Sequence, residues 1–156
     1  MKPVRSTITV PQPRGQVYEL LDVLGAHEAF TDHFLVDWDT SGPRSGVGAR
    51  ARMRVKRPGP PDWLDMEVIA AEPPRTNVEE SVSAKGRRRT RGTYVLDELP
   101  GGRTRISFEL AWLEAPLSER LAAPLTRWVV RRNNDRSLRR LAEQLGARPR
   151  TDGGVR

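Results

Sequence analysis

The segment from Pro116 to Gly146 constrains the fold most, because its pattern predicts one long helix at the end of the chain. Ser118 can accept hydrogen bonds from the free amides at the helix start. Gly146 is the residue type that most easily ends a helix. Pro124 removes a backbone hydrogen bond and crowds the preceding turn, so it predicts a kink or a short break. The rest of the chain is expected to be arranged around this helix.

Apolar side chains on this helix form two stripes separated by a polar middle. The first stripe is Leu121, Leu125, Trp128 and Val129, and the second is Leu138, Leu141, Ala142 and Leu145. Arg131, Arg132 and Asp135 lie between them. A helix packed fully on a sheet would be apolar along its centre, so these three residues are candidates to line a pocket and orient a polar ligand group. The alternative is a surface salt bridge, which contributes little stability.

The residues before this helix predict a curved antiparallel sheet. Gly48 to Lys56 is the clearest strand, because small and apolar residues alternate with basic ones. Two short helices follow the first strand, one beginning at Pro13 and one running from His27 through Phe34. The predicted strands are Val4–Val10, Val36–Thr40, Gly48–Lys56, Trp63–Glu72, Asn77–Ser83, Arg88–Glu98 and Thr104–Leu113. Hairpin-connected strands followed by a helix indicate an α+β domain, with the sheet wrapped around the final helix.

Length and composition favour one soluble domain. We expect it over residues 1–146 of the 156, with a disordered Pro/Gly-rich tail from 147 to 156. The chain has no cysteine and no apolar run long enough to cross a membrane, so we expect a cytoplasmic monomer or homodimer. The net charge of +7 comes almost wholly from arginine. It indicates either attraction to phosphate or an acidic partner or, more simply, a GC-rich genome that uses arginine for surface cations.

The order of elements and several local patterns resemble the helix-grip superfamily (SRPBCC), which contains START lipid-transfer domains, Bet v 1-type allergens and polyketide cyclase/dehydratase-like proteins. The resemblance covers the chain from Pro3 to Leu145. It rests on the terminal helix and on Ser6–Val10, Val17–Leu21, Gly46–Gly48, Gly92–Leu96 and Gly102–Phe108. It implies a central cavity for a hydrophobic small molecule, entered near the two short helices. It implies no single reaction, because the superfamily includes carriers, sensors, cyclases and hydrolases.

Small residues on the inner face of the predicted sheet would leave room for a ligand beneath the helix; they are Ala49, Ala51, Ala70, Gly92 and Ala111. The predicted ligand-binding residues around this space are Phe30, Phe34, Met53, Met66, Tyr94, Phe108, Trp112, Trp128, Arg131 and Arg132. The alternative is that large side chains such as Tyr94, Trp112 and Trp128 fill the space.

Three residues are candidates for acid/base chemistry, namely His33, Glu80 and Asp135. His33 has an ordinary pKa near neutrality, although a structural role is the stronger expectation for it and for His27. Glu80 lies between two valines, so strand alternation can turn it inward; another hairpin register turns Glu79 inward and leaves Glu80 in a surface ion pair. The two histidines lie six residues apart, which is poor spacing for two metal ligands on one helix face. We therefore expect no metal site, and the sequence indicates no other cofactor.

The residues and the resemblance leave three functional hypotheses from different classes. The favoured one is binding or transport of a hydrophobic small molecule, such as a lipid, polyketide or aromatic compound, between sheet and helix. The alternative is a polyketide cyclase/dehydratase-like enzyme, in which His33, Glu80 or Asp135 acts as acid or base and Tyr94 or Arg131 orients the substrate. Contact with RNA or ribosomes through the arginine-rich stretches 50–57 and 87–91 is disfavoured, because no aromatic residues for base stacking lie among those arginines. A solvated basic face that protects the sheet is the better interpretation.

Overall fold

A seven-stranded antiparallel sheet faces a long C-terminal helix in the computed structural model, which describes residues 1–147. The strands are β1 (Val4–Val10), β2 (Leu35–Ser41), β3 (Arg50–Val55), β4 (Asp62–Glu72), β5 (Thr76–Ser83), β6 (Arg88–Leu99) and β7 (Arg103–Glu114). Their order across the sheet is β1-β7-β6-β5-β4-β3-β2, so neighbouring strands are consecutive in the chain except for β1 and β7. The seven predicted strands and their order along the chain are confirmed, with ends that differ by at most two residues.

The helices stand where the sequence predicts them, with shorter bounds near the N-terminus. They are α1 (Arg14–Asp22), α2 (Glu28–Thr31), α3 (Leu117–Leu121) and α4 (Ala123–Ala147), and a 3-10 helix over Leu24–His27 precedes α2. The second predicted helix therefore ends at Thr31 rather than Phe34. The α+β helix-grip fold is confirmed. Within residues 1–147, no helix is long and apolar enough to cross a membrane.

The predicted break in the C-terminal helix is confirmed, and it separates α3 from α4 at Ala122. Pro124 is the second residue of α4, where a missing amide hydrogen costs little because first-turn amides lack helical partners. Two end predictions are wrong. Pro116, not Ser118, caps α3 and does so without a side-chain hydrogen bond, while α4 continues through Gly146 to Ala147. The predicted disordered tail lies, from residue 148 onward, outside the described residues.

The core consists of two apolar clusters. One packs the second half of α4, through Leu138, Leu141 and Leu145, against α1, α2 and the inner faces of β6 and β7. The other lies under β2, β3 and β4 and includes Met53 and Met66. The second predicted stripe of α4 is thus confirmed as core. The first stripe is not core, because Leu121, Leu125, Trp128 and Val129 are 79%, 63%, 56% and 43% exposed.

Candidate functional site

A cavity of about 410 Å³ lies between the inner face of the sheet and the first half of α4. It is lined mostly by large apolar side chains, including Phe34, Trp38, Leu64, Met66, Phe108, Trp112, Leu125 and Val129. Leu125 and Val129 are also partly exposed to solvent, so the cavity opens beside this half of the helix. A largely apolar cavity with a few placed polar groups is the usual form of a small-molecule site.

Strand β5 turns its polar side chains, rather than its valines, towards the inner face of the sheet. Its inward side chains are Asn77, Glu79, Ser81 and Ser83, and all four are buried. Its valines point the other way, and Val82 is 37% exposed. Glu79, Ser81 and Ser83 line the cavity, so we call these three residues the polar floor.

Of the two alternatives left open for β5, the one with Glu79 inward and Glu80 in a surface ion pair is correct, so Glu80 is not an acid/base candidate for the cavity. Glu80 pairs with Arg91 across β5 and β6, which is one of the two registers considered from the sequence. Both side chains lie on the outer face, where Arg91 donates to Oε1 of Glu80 at 2.6 and 3.0 Å. Glu79 is the inward carboxyl. The two valines that suggested an inward Glu80 lie on the solvent side instead.

Glu79 is 5% exposed and sits among apolar rings. Its strand partner is Gly92, where an added Cβ would approach the Phe108 ring to 2.9 Å and Cγ of Glu79 to 3.1 Å. A glycine is therefore needed to leave room for this carboxyl and this ring. Because burial penalises the charged form, the pKa of Glu79 is raised to about 8. The carboxyl is thus a neutral acid at neutral pH.

His27, at the end of the 3-10 helix, faces Glu79. Its Nε2 lies 2.8 Å from the carbonyl oxygen of Leu21, which can only accept, so Nε2 carries the proton and Nδ1 a lone pair. Nδ1 lies 3.7 Å from Oε2 of Glu79. That distance would suit an ion pair, but burial lowers the pKa of His27 to about 4 while it raises that of Glu79. The pair is therefore neutral at neutral pH, with an acid proton beside an imidazole lone pair.

Tyr94 and Asn134 complete the buried end of the cavity. The Tyr94 ring packs edge-on to His27 at 5.8 Å and lies 4.5 Å from Phe108. Burial, and then the nearby Glu79, raises the pKa of the Tyr94 hydroxyl well above its ordinary value, so it stays protonated. Asn134 reaches in from α4, and its Nδ2 has no hydrogen-bond partner among residues 1–147. This end of the cavity offers uncharged hydrogen-bonding groups.

The opposite end of the polar floor carries a charged network that ties α3 to the sheet. Arg88 donates to Asp62 at 2.8 Å, to the Ser83 hydroxyl at 2.8 Å, and to both oxygens of Glu119 on α3. Asp62 also accepts from the Ala84 amide at 2.9 Å. Although burial opposes its ionisation, the pKa of Asp62 is lowered by these hydrogen bonds and by the Arg88 charge. The arginine is fully engaged within the protein, so it holds the helix rather than a free anion.

Half of the predicted ligand-binding residues line the cavity: Phe34, Met66, Tyr94, Phe108 and Trp112. The other half does not. Phe30 and Met53 are fully buried in the two core clusters, and Arg131, Arg132 and Trp128 face solvent, with the Arg132 guanidinium 5.4 Å from the Trp128 ring.

Two predicted acid/base residues also lie elsewhere. Asp135 is half-buried on α4 but does not line the cavity; Asn133, Asn134 and Ser137 occupy the inward positions instead. His33 lies outside the cavity, where it joins the end of α2 to α4. Its Nε2 bonds the Asn133 carbonyl at 3.2 Å, and its Nδ1 accepts from Arg140 at 3.2 Å. The structural role expected for His33 is the one that the contacts support.

From the sequence, Glu79 is named only as the inward alternative to Glu80, His27 is expected to be structural, and Asn134 is not a candidate. One available signal was the second apolar stripe of α4. Residues four positions apart share a helix face, so Asn134 and Ser137 lie on the same face as Leu138 and Leu141. Another was Gly92 inside a strand, which marks a close approach. No local pattern distinguished Glu79 from Glu80.

The arginine-rich outer face of the sheet is largely neutralised by acidic neighbours. Cross-strand ion pairs join Arg50 to Glu67, Arg52 to Asp65, Arg54 to Asp37, Arg91 to Glu80 and Arg5 to Glu109. The predicted basic stripe is therefore a paired surface rather than a continuous positive one. In the part of the chain described here, no group of three or more histidine, aspartate or glutamate side chains is arranged to hold a metal ion.

A curved antiparallel sheet that wraps around a C-terminal helix, with an apolar cavity between them, defines the helix-grip fold. The chain belongs to the family described as "Polyketide cyclase / dehydrase and lipid transport", whose pattern matches residues 1–146. The resemblance drawn from the sequence is thereby confirmed. No curated protein matches the chain in sequence.

Solved structures of the same fold include several close in shape. TTHA0849 from Thermus thermophilus is 22% identical, with 94% of this chain and 98% of that chain covered and a TM-score of 0.76. The Zhui aromatase/cyclase of a Streptomyces species is 20% identical over 99% of both chains, with a TM-score of 0.72. Ara h 8.0201 is 11% identical over 94% of this chain and 99% of that chain, with a TM-score of 0.68. At these identities the likeness shows the fold.

Proposed function

We propose that residues 1–146 act as one domain that binds and carries a hydrophobic small molecule in the cavity beneath α4. The observation that carries this proposal is the cavity itself, about 410 Å³ of mostly apolar space left open between a packed sheet and a helix. Large side chains from both sides border this space without filling it. A well-formed apolar cavity with few polar groups gains binding free energy chiefly from removing ligand surface from water.

Filling the cavity from its floor tests this proposal. Ser81→Phe places a ring in the cavity, and Val82→Phe places the same ring on the solvent side of the same strand. Titration with Nile red, a neutral apolar dye whose emission rises in apolar sites, should show saturable binding by the wild type and by Val82→Phe. Because the new ring occupies space that the dye needs, Ser81→Phe should bind the dye at least about tenfold more weakly. This corresponds to a loss of about 1.4 kcal/mol in binding free energy. Equal binding by both variants, at matched thermal stability, would reject the cavity as the site.

A second candidate function is acid/base catalysis of the cyclase/dehydratase type, and the Glu79–His27 pair favours it. A catalytic base works best when its pKa lies near the working pH, and the pKa of Glu79 is raised to about 8. Its carboxylate would be a stronger base than an ordinary one, inside a mostly apolar cavity. The elementary step shared by cyclisation and dehydration is removal of a proton next to a carbonyl group.

Deuterium exchange into a bound ketone tests this candidate without knowledge of the substrate. An apolar methyl ketone incubated with the protein in heavy water should gain deuterium next to its carbonyl, faster as pH rises through about 8 because the carboxylate is the base. Glu79→Gln should abolish the excess rate, and Glu80→Gln, its outward neighbour, should leave it unchanged. Exchange no faster than in buffer, with the ketone bound, would leave the carrier function standing and exclude this one.

A further inference from the structure

The two oxygens of the Glu79 carboxyl stand in different surroundings. Oε2 is shielded from solvent, has no hydrogen-bond partner among residues 1–147, and lies 3.7 Å from the Nδ1 lone pair of His27. The acceptor beside Oε2 is therefore this lone pair, which favours the acid proton on Oε2 although 3.7 Å is longer than a hydrogen bond. No hydrogen bond to Oε1 is found within the described residues, and this oxygen is not sealed off, so Glu79 presents it to the cavity that it lines. In a protonated carboxyl of this orientation, Oε1 is a hydrogen-bond acceptor.

The groups around Glu79 leave this acceptor without a charged partner. His27 on the 3-10 helix, Tyr94 on β6 and Asn134 on α4 line the same cavity, and the strand partners of Glu79 on β4 and β6 are Val68 and Gly92. The arginines that line the cavity are themselves paired, Arg88 with Asp62 and Glu119, and Arg57 with Asp62. A ligand group that reaches Oε1 must therefore supply a hydrogen of its own.

We infer that the cavity takes an uncharged apolar molecule whose buried end carries a hydroxyl group, which donates a hydrogen bond to Oε1 of Glu79. The inference rests on the proposed binding function and adds the chemical class of the ligand. The Tyr94 hydroxyl, which also lines the cavity, can donate to the oxygen of the same hydroxyl group. A molecule with an acceptor alone would leave Oε1 unpaired, and a buried unpaired acceptor costs affinity.

Glutamine at position 79 imitates the proposed state of the acid. Its amide nitrogen can take the place of the protonated Oε2 beside Nδ1 of His27, and its carbonyl oxygen can accept from the ligand, so it keeps the proposed ligand hydrogen bond without a charge. Leucine at position 79 keeps the approximate size and removes both polar atoms. The pair Glu79→Gln and Glu79→Leu therefore separates hydrogen bonding from packing.

The experiment measures displacement of Nile red by n-decanol, by n-decyl methyl ether and by n-decylamine at pH 7. Decanol and the ether share the chain and the oxygen, but the ether has no hydrogen to donate. We expect decanol to bind the wild type and Glu79→Gln about 3- to 10-fold more tightly than the ether, the range that one net hydrogen bond provides. Glu79→Leu should lose this preference and bind the ether at nearly wild-type affinity.

This experiment gives different results if the binding function is wrong and if only the hydroxyl inference is wrong. If the dye and all three ligands fail to bind the wild type, the binding function itself is rejected. If the ligands bind but decanol and the ether bind equally to the wild type, the hydroxyl inference is overturned and the binding function stands. Decylamine binding more tightly than decanol, with the advantage lost in Glu79→Gln, would also overturn it, because Glu79 would then act as a carboxylate counter-charge. The wild-type ratio of decanol to ether decides the question even if Glu79→Leu does not fold.

Discussion

The two halves of α4 carry similar apolar side chains and use them differently. In the second half, Leu138, Leu141 and Leu145 are between 0% and 3% exposed and join the main core. In the first half, Leu125 and Val129 border the cavity and remain about half-exposed, and Trp128 faces solvent. One half of the helix holds the fold and the other half stands off the sheet to leave space. An apolar residue on a helix therefore marks core only where the opposite surface comes close enough to pack against it.

Large-to-small substitutions in the two halves of α4 test this difference, and one of them should have the largest effect on stability. Leu141→Ala should lower the free energy of unfolding by about 3–5 kcal/mol, since a fully buried leucine leaves a cavity in a packed core. Leu125→Ala should lower it by less than about 1 kcal/mol, because the side chain is 63% exposed. Urea unfolding of both variants gives the comparison. Equal losses would mean that the first half of α4 packs as core in solution.

The charged network at the end of the polar floor should give the next largest effect. Arg88→Ala leaves Asp62, which is 4% exposed, without its main partner, and removes the tie between α3 and the sheet. We expect a loss of about 2–3 kcal/mol in unfolding free energy, the scale of a broken hydrogen bond to a buried charge. Arg89→Ala, one residue away and outward-facing, should cost less than about 1 kcal/mol. A small effect of Arg88→Ala would show that α3 is held by other contacts.

The pH dependence of stability tests whether the polar floor holds a neutral acid. The folded-state pKa of Glu79 is about 8 against an ordinary 4.5, so between these values the folded protein keeps a proton that the unfolded chain has released, and rising pH favours unfolding. His27 acts in the opposite sense between about 4 and 6.5, where rising pH favours folding. The two trends oppose each other up to pH 6.5, and Glu79 acts without that opposition from there to about pH 8.

Unfolding free energy should therefore fall by about 2 kcal/mol between pH 6.5 and 8, since one pKa unit corresponds to about 1.4 kcal/mol. Glu79→Gln cannot ionise and should lose this decline, while Glu80→Gln should retain it. Urea unfolding across this pH range at constant ionic strength provides the measurement. A decline that survives in Glu79→Gln would place its origin in another group.

Much of the fold followed from the sequence because its signals are local. The alternation in β3 and the β-branched run in β1 define strands whatever surrounds them. Pro124 required an interruption of the C-terminal helix wherever that helix packed. The break lies at Ala122 because proline is tolerated in a first turn, so the helix restarts just before it.

The site residues were predicted less well, because the way each helix and strand is turned in the fold decides which of its side chains reach the cavity. On α4 the prediction chose Arg131, Arg132 and Asp135 from their place between two apolar stripes. The first of those stripes does not pack, so the packed stripe alone sets the rotation of the helix, and it turns Asn134 and Ser137 inward. On β5 the two valines beside Glu80 favoured an inward Glu80, because apolar residues usually face the core. Both valines and Glu80 lie on the outer face instead.

What the sequence determined by itself is the order of elements, the period of each strand and the resemblance to helix-grip proteins. It also determined that one of two adjacent glutamates had to face inward, because neighbouring side chains on a strand point to opposite faces. Tertiary structure alone decided which one. The inner face of β5 borders a cavity rather than a packed core, so its polar side chains can face inward there, and its valines lie on the outer face.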